Sequence, residues 1–260
     1  MLKESLRFFS VLLFSFCFFL PSAFPAESND EFEDVDSTSV SGEKKLALLE
    51  LSLTSTTGNS EALSLFTGAE LFYESSGNSI GFEGNLYYGE KSQVLNTKVS
   101  EGRLTGAHNF NLHNYAYILG ALKHDDFEKL NLRSSIGIGY GYRLIKNPYE
   151  ELSLEAGLGL QGEDFNVAGK DDYYHEGRIG INYTYRLSKT ARFVTKDEYL
   201  PALSGAGNYR IRGEFKLIES IYKNLAVILH LILDYDGSPV ERNIKEMDTR
   251  LFAGVGYNFF

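Results

Sequence analysis

The residues of this sequence that could carry out catalysis are few and lie far apart in the chain. The segments "KHDDF" and "LDYDG" supply His124, Asp125 and Asp126, and Asp234 and Asp236, respectively. A histidine among carboxylates can activate water, so these residues are candidates for an Asp/His hydrolase site. We favour the alternative, a polar strand end that binds water or stray cations, and predict no catalytic residues, no metal and no cofactor. The histidines show no metal-ligand spacing; they are His108, His113, His124, His175 and His230.

A second set of residues is charged and recurs at alternate positions over three successive segments. Rings or ladders of charge that line a pore determine which ions it prefers. The set therefore predicts a basic pore wall that favours small anionic solutes. The alternative is an internal lattice of salt bridges with Glu70, Glu83 and Glu155 that closes the lumen. The predicted pore-lining residues are Arg178, Arg186, Arg192, Lys196, Arg210, Arg212 and Lys216, with Glu176, Glu198 and Glu214 interleaved.

Glycine occupies alternate positions of "SSIGIGYGYRLI" and recurs in the next segment, "LSLEAGLGL". Glycine weakens a strand unless space or flexibility is needed there. If a hairpin turns at Pro148, Gly139 faces Gly157 and Gly137 faces Gly159. These four glycines predict a bare patch in the lumen that a loop, a side chain or a solute could approach. The alternative is that the glycines only ease the curvature of the wall.

The elements that must position these residues are strands, because the dominant period of the sequence is two. Short and long connections alternate between the runs, which is typical of an up-and-down barrel with both termini at the short-turn end. We therefore predict an all-β fold, a closed antiparallel transmembrane barrel of about twelve strands. The predicted runs are 46–57, 61–74, 79–90, 97–111, 114–125, 131–145, 151–163, 172–187, 190–201, 208–220, 224–236 and 247–260.

Most runs have one apolar face, which points inward in a soluble barrel and outward in a membrane barrel. Run lengths of ten to fourteen residues suit a tilted membrane crossing, and tyrosines collect near run ends as interfacial girdles do. We therefore predict the membrane orientation, with a soluble periplasmic ligand-binding barrel as an alternative. The segments "YAYILGAL" and "LAVILHLIL" are apolar on both faces, as buried strands of soluble proteins are. Local plugging of the lumen would accommodate them in a membrane barrel. Asp197 also lies on an apolar face, and we place it near the long-loop end.

The N-terminus predicts export from the cytoplasm. Basic residues precede an apolar run and small residues follow it, so residues 1–26 are a predicted signal peptide, cleaved after Ala23 or Ala26. Residues 27–45 form a predicted acidic, disordered leader, and 46–260 the barrel. The only cysteine is Cys17, so disulfides do not support the mature chain. The net charge of −10 argues against nucleic acid as a partner.

The motifs "TGNS", "GIGYGYRLI", "LSLEAGLGL", "RIGINYTYRLS", "LDYDGSP" and "DTR", in this order, resemble a bacterial family of salt-induced outer-membrane proteins. That family is a domain of unknown function, and the resemblance covers residues 46–260. It implies an outer-membrane barrel with no established catalytic residues, in contact with outer-membrane lipid and inserted by the barrel-assembly machinery. One departure is the end "GVGYNFF", where Phe260 lies one residue beyond the phase of the preceding aromatic residues. The expected function is a narrow channel or a structural protein of the envelope, and not an enzyme.

Overall fold

The computed structural model describes residues 43–56, 62–91, 94–167, 169, 171–204, 208–241 and 244–259. The predicted signal peptide and nearly all of the predicted leader lie outside these residues and stay predictions. The described chain consists of twelve strands: β1 (Lys44–Thr56), β2 (Ala62–Ser75), β3 (Asn78–Lys91), β4 (Val94–Asn109), β5 (Asn114–Asp125), β6 (Leu130–Lys146), β7 (Glu150–Phe165), β8 (Asp172–Arg186), β9 (Ala191–Pro201), β10 (Tyr209–Tyr222), β11 (Leu225–Asp236) and β12 (Met247–Asn258).

The sheet closes on itself, because each strand pairs with its sequence neighbours and β12 pairs with β1. This confirms the predicted closed antiparallel up-and-down barrel. Ser76 and Gly77 join β2 to β3 with φ values of 51° and 79°, the positive values that a two-residue type I′ hairpin requires. At the other end of the barrel, the β11–β12 loop runs from residue 237 to residue 246. We call these ends the short-turn end and the long-loop end.

Apolar side chains point away from the barrel axis. Ile138 of β6 and Leu158 of β7, which are directly opposed, are 65% and 63% exposed. Charged side chains such as Arg178 and Glu198 point into the lumen and are largely buried. A water-soluble barrel has the reverse arrangement, so the fold is that of a transmembrane barrel and not of a soluble ligand-binding barrel.

The two segments that are apolar on both faces fill part of the lumen. On β5, the inward-facing residues Tyr115, Tyr117 and Leu119 form a buried cluster. On β11, Ile228 and Ile232 are completely buried, and each belongs to a separate apolar cluster inside the barrel. Burial in the lumen, rather than a soluble core, therefore accounts for their apolar inner faces.

Asp197 faces outward at middle depth, not near the long-loop end as the sequence suggested. Thr195 donates a hydrogen bond to its carboxylate at 2.8 Å. Gly213 leaves room for the carboxylate, since a Cβ there would lie 3.1 Å from Asp197 Oδ1. The acidic group therefore lies flat against the wall, which reduces its contact with lipid. The depth of Asp197 follows from a row of directly opposed outward residues that runs from the short-turn end to the long-loop end, with Asp197 at its middle. The row comprises Tyr142, Leu154, Ile181, Asp197, Gly213, Leu233 and Thr249.

The seam between β1 and β12 has the shortest backbone pairing among the described strands. It comprises five residue pairs, whereas β1 and β2 share thirteen. Inside the lumen, Phe66 of β2 stacks on Phe252 of β12 with ring centroids 4.9 Å apart. Because β2 and β12 flank β1, this stack joins the two sides of the seam where backbone hydrogen bonds are few.

Replacing Phe252 with alanine should weaken the closed barrel. Loss of a buried aromatic side chain costs about 3–5 kcal/mol, and here it also removes the contact across the seam. We expect the folded, fast-migrating form in a mild detergent gel to disappear at a lower temperature. Phe82→Ala is the control, because this ring lies on the outward face and is 41% exposed. Equal effects of the two substitutions would contradict the role of the stack.

Candidate functional site in the lumen

The centre of the lumen is crossed by ion pairs that meet at Glu198 of β9. Arg103 of β4 donates two parallel hydrogen bonds to this carboxylate, at 2.9 and 2.7 Å. Arg178 of β8 donates to the same carboxylate at 2.8 Å and to Glu155 of β7 at 2.6 Å. Since β4 and β9 lie on nearly opposite sides of the ring of strands, the contacts bridge the interior. Bidentate, charge-assisted hydrogen bonds of this kind fix geometry as well as adding energy.

A second group of ion pairs joins β10 to β4. Arg212 donates to both carboxylate oxygens of Glu101, at 3.1 and 2.8 Å. It also donates to Asp234 of β11 at 3.3 Å, and Asp234 in turn pairs with Arg250 of β12. Strands β4 and β10 lie on opposite walls, so this group also spans the lumen.

Lys196 of β9 forms a third bridge. Its ammonium group pairs with Glu83 of β3 and lies 3.9 Å from a carboxylate oxygen of Glu70 on β2. Together with the Arg178–Glu155 pair, these contacts are the ones that the salt-bridge lattice predicts for Glu70, Glu83 and Glu155. The lumen therefore contains this lattice, and the basic side chains that join it face acidic partners.

Two further basic residues of the predicted wall have acidic partners close by in the chain or on a neighbouring wall. Arg210 of β10 pairs with Glu176 of β8. Lys216 lies 3.1 Å from Glu214 on the same strand. The interleaved glutamates of the prediction are thus the partners of its basic residues.

Arg186 and Arg192 lie apart from the lattice. They oppose each other near the short-turn end of β8 and β9. Arg186 is exposed, and no carboxylate within the described part of the chain forms an ion pair with either residue. The sequence pattern grouped them with the predicted basic wall because they occupy the same alternate, inward-facing positions. The ion pairs of the lattice lie further from the short-turn end.

On the side of β1, β10 and β11, the lumen near the short-turn end is apolar. Leu48, Ile218, Ala226 and Ile228 pack there as a buried cluster, with Val194 against it. Such an apolar segment is the kind of constriction that restricts ion passage by excluding water.

The free space of the lumen lies mostly towards the long-loop end. A cavity of about 160 Å³ is lined there by ten acidic and eight basic side chains and by Val240 and Ile244 of the β11–β12 loop. This loop also reaches the opposite wall, where Glu241 pairs with Lys129 of the β5–β6 turn at 2.8 Å. A second void, of about 10 Å³, extends from the first towards Leu48, and it has room for about one water molecule.

The four glycines of the predicted bare patch face the lumen in the predicted register. Gly139 lies opposite Gly157 and Gly137 opposite Gly159. The space at Gly139 and Gly157 is filled by Tyr117 of β5, since a Cβ on Gly139 would lie 2.3 Å from its ring and hydroxyl group, whereas a Cβ on Gly137 or Gly159 would meet only backbone atoms of the facing strand. The sequence left open whether a loop, a side chain or a solute approaches the patch. At Gly139 the occupant is a side chain.

Arginines cover the tyrosines on the lumen side. The guanidinium carbon of Arg143 lies 4.4 Å from the ring centre of Tyr115, and that of Arg178 lies 5.1 Å from that of Tyr117. Tyr117 accepts a hydrogen bond from Arg178 at 2.7 Å, and Tyr115 donates one to Glu155 at 2.7 Å. Each tyrosine is thus fixed between a glycine wall and a cation.

The candidate hydrolase residues are not brought together. His124 pairs with Asp126 at 2.9 Å. Hydrogen bonding from Lys98, and then the nearby His124 ring, lower the pKa of Asp126, so this carboxylate stays ionised. Asp234 and Asp236 bind arginines inside the lumen instead. His124 and Asp126 therefore lie in one polar site, and Asp234 and Asp236 lie in another, so that they do not form the candidate Asp/His set.

Other classes of site find no support in the described chain. No group of His, Cys, Asp and Glu in the described residues is arranged to hold a metal ion. The described residues also include no helix with the length and apolarity needed to cross a membrane.

The profile of one protein family matches most of the barrel. This family is described as "Protein of unknown function, DUF481", and the match covers residues 49–259. The chain belongs to this family. Its description contains no reference to salt, so that part of the resemblance stays a prediction. None of the curated proteins matches the chain.

Several solved outer-membrane barrels are similar in fold. The NanC porin has a TM-score of 0.50 at 6% identity, covering 83% of this chain and 100% of that chain. The translocator domain of the autotransporter NalP from Neisseria meningitidis has a TM-score of 0.44 at 15% identity, covering 84% and 89%. The KdgM porin in complex with disordered oligogalacturonate has a TM-score of 0.43 at 12% identity, covering 82% and 99%. At such low identities the likeness concerns the fold alone.

Two groups of lumen residues were not predicted from the sequence. The first is on the wall that faces β8–β10, where Glu101 and Arg103 of β4 occupy alternate, inward-facing positions; this alternation was the available signal. The second is the pair Tyr115 and Tyr117, which pack against the glycines of β6 and β7 on a strand that is apolar on both faces.

A side chain at Gly139 should disrupt the tyrosine layer. In Gly139→Ala the new Cβ would lie 2.6 Å from the backbone oxygen of Ala156 as well as against Tyr117. Overpacking of this kind costs about 1–3 kcal/mol, which should lower the temperature of barrel unfolding in detergent. Gly120→Ala is the matched control, because a Cβ there meets nothing within 4 Å. A Gly139→Ala barrel as stable as the control would show that the space is not required.

Removing the carboxylate of Glu198, which Arg103 and Arg178 share, should destabilise the barrel. Glu198→Gln leaves Arg103 and Arg178 without their common anion, and loss of one partner of a buried ion pair costs about 3–5 kcal/mol. The free energy of unfolding in urea, measured in detergent micelles, should fall accordingly. The control is Asp126→Asn, which removes an exposed ion pair to Lys98 and should leave stability unchanged. Similar losses in both variants would contradict the central role of Glu198.

Proposed function

We propose that this protein is an outer-membrane barrel that conducts small solutes through a narrow, charged lumen, and that it is not an enzyme. The observation that carries this proposal is the set of ion pairs across the lumen, which leaves voids of about 160 and 10 Å³ along one charged path. A wide pore would not need carboxylates and guanidinium groups in contact across its interior. The dispersed Asp/His residues support the absence of catalysis.

The outer surface supports location in the outer membrane. Its belt is built from leucine and isoleucine, and tyrosines follow at both ends, as in the aromatic girdles of outer-membrane barrels. Outward tyrosines near the short-turn end include Tyr73, Tyr142, Tyr185 and Tyr257, and near the long-loop end Tyr88, Tyr173 and Tyr199. This belt supports the proposed contact with outer-membrane lipid.

Insertion by the barrel-assembly machinery is part of the same proposal. Val255, Tyr257 and Phe259 are all exposed on the outward face at the end of β12. An aromatic, outward-facing last strand is the feature that such machinery would meet. Phe260, which the sequence places one residue out of the aromatic phase, lies outside the described residues.

The preferred solute depends on the balance of charge in the lumen. A basic wall on its own favours small anions, which was the hypothesis from the sequence. In the cavity, however, ten acidic side chains line the same space as eight basic ones. We therefore propose a weak preference for cations, and small anionic solutes become the alternative.

Reversal potentials across planar bilayers should distinguish these solutes. In a KCl gradient the wild-type barrel should show small conductance and a weak preference for K⁺. Arg210→Gln with Arg212→Gln should shift the reversal potential towards K⁺, because the acidic partners then lack counter-charges. Glu176→Gln with Glu101→Gln removes those partners instead and should shift it towards Cl⁻.

Two results would change the proposal. A wild-type preference for Cl⁻ would support the anionic-solute hypothesis. The absence of any conductance, in the wild type and in both variants, would contradict the channel and leave a structural role in the envelope. Migration as a folded barrel in detergent gels must be checked for each variant before the recordings.

A further inference from the structure

Four charged side chains form a closed ring at the wall between β1, β10 and β11. His230 lies between two carboxylates, with Nδ1 3.3 Å from Glu50 and Nε2 3.0 Å from Glu214. Lys216 completes the ring, with its ammonium group 3.1 Å from Glu214 and 3.9 Å from Glu50. The histidine is completely buried and Glu50 is 2% exposed. Positive and negative groups therefore alternate around the ring.

The proton state of His230 decides the charge of this ring. A neutral imidazole can donate a hydrogen bond from only one nitrogen, whereas the protonated form donates from both. Two carboxylates at these distances on either side of the ring therefore favour the protonated form. With both carboxylates ionised, the ring is neutral when His230 is protonated and carries one negative charge when it is not.

The elements packed around His230 offer no other charged group in direct contact. Phe66 of β2 and Phe252 of β12 pack against the imidazole, with ring centroids 5.2 and 6.4 Å away. Beyond the ring, Glu70 of β2 lines the narrower void of the lumen and lies 3.9 Å from Lys196 of β9. Arg250 of β12 is engaged by Asp234. The charged groups in direct contact with His230 are therefore the members of the ring itself.

The ring borders the narrower of the two voids in the lumen. Glu50, Glu214 and Lys216 line the space of about 10 Å³ that leads from the central cavity towards Leu48. A single charge at the narrowest part of a pore has a larger effect on ion preference than one in a wide vestibule, because ions must shed water there.

We propose that His230 is a proton-operated switch of ion preference. When it loses its proton, the narrow part of the lumen gains a negative charge and passes cations more readily. This inference rests on the proposed channel function, and it adds that the same lumen is regulated by pH. The switch acts through charge at the narrow void and requires no movement of the barrel wall.

Reversal potentials as a function of pH test the switch. From about pH 5 to about pH 9, which spans the range in which a histidine titrates, the K⁺/Cl⁻ permeability ratio of the wild type should rise several-fold. His230→Gln cannot bind a proton, so its ratio should be high and insensitive to pH. His230→Lys keeps a positive charge over most of this range, and its ratio should stay low. His175→Gln, at the long-loop end of β8, is the control and should behave as the wild type.

The barrel's own stability provides a second measurement that does not depend on conduction. The ring stabilises the fold while His230 is protonated, and this contribution is lost as the pH rises through the titration of the histidine. The unfolding temperature of the wild type should therefore fall across this range by more than that of His230→Gln. Equal pH dependence in these two proteins would overturn the switch. A stability difference without any current would instead overturn the channel and leave the ring as a structural element.

Discussion

The closed ring of twelve strands with an apolar exterior is the constraint on which the rest of the structure depends. A strand in hydrocarbon must have its backbone groups paired, and closure is what removes unpaired edges. Once the apolar faces are directed outward, every charged residue of the inner phase must enter a narrow lumen. Charges in such a space are stable only when paired. The lattice around Glu198, Arg212 and Lys196 is thus a consequence of closure and not an independent feature.

The seam and the tyrosine layer show how side chains compensate for a small circumference. Backbone pairing between β1 and β12 is short, and the Phe66–Phe252 stack joins β2 to β12 across β1 from inside. On the opposite wall, glycines on β6 and β7 allow Tyr115 and Tyr117 to lie flat, with Arg143 and Arg178 above them. Both arrangements fill the lumen with aromatic rings that larger barrels would not require. They also explain why β5 and β11 are apolar on both faces.

The sequence was sufficient for the fold but not for the contacts across it. Alternation and loop length gave twelve strands within a few residues of their observed ends, because both are local properties. The register of Gly139 with Gly157 followed from one hairpin. In contrast, the pairing of Arg103 with Glu198 joins β4 to β9, and only the closed geometry determines which strands face each other. For the same reason Arg186 and Arg192 were grouped with the basic wall. Alternation along a strand predicts which way a side chain points, but not how far along the barrel axis it lies.

If the proposed channel conducts, one set of residues in the lattice serves both stability and passage. Ion pairs that stabilise the ring occupy the space that solutes would need, so a more tightly paired lumen is a narrower one. Acidic side chains outnumber basic ones around the central cavity, and in the proposed channel a cation would exchange part of its water for carboxylate oxygens there. The ring of His230, Glu50, Glu214 and Lys216 differs, because its balance depends on a proton. This ring borders the narrower void. In the proposed channel, the interaction that stabilises the wall would therefore also determine the electric field that an ion encounters there.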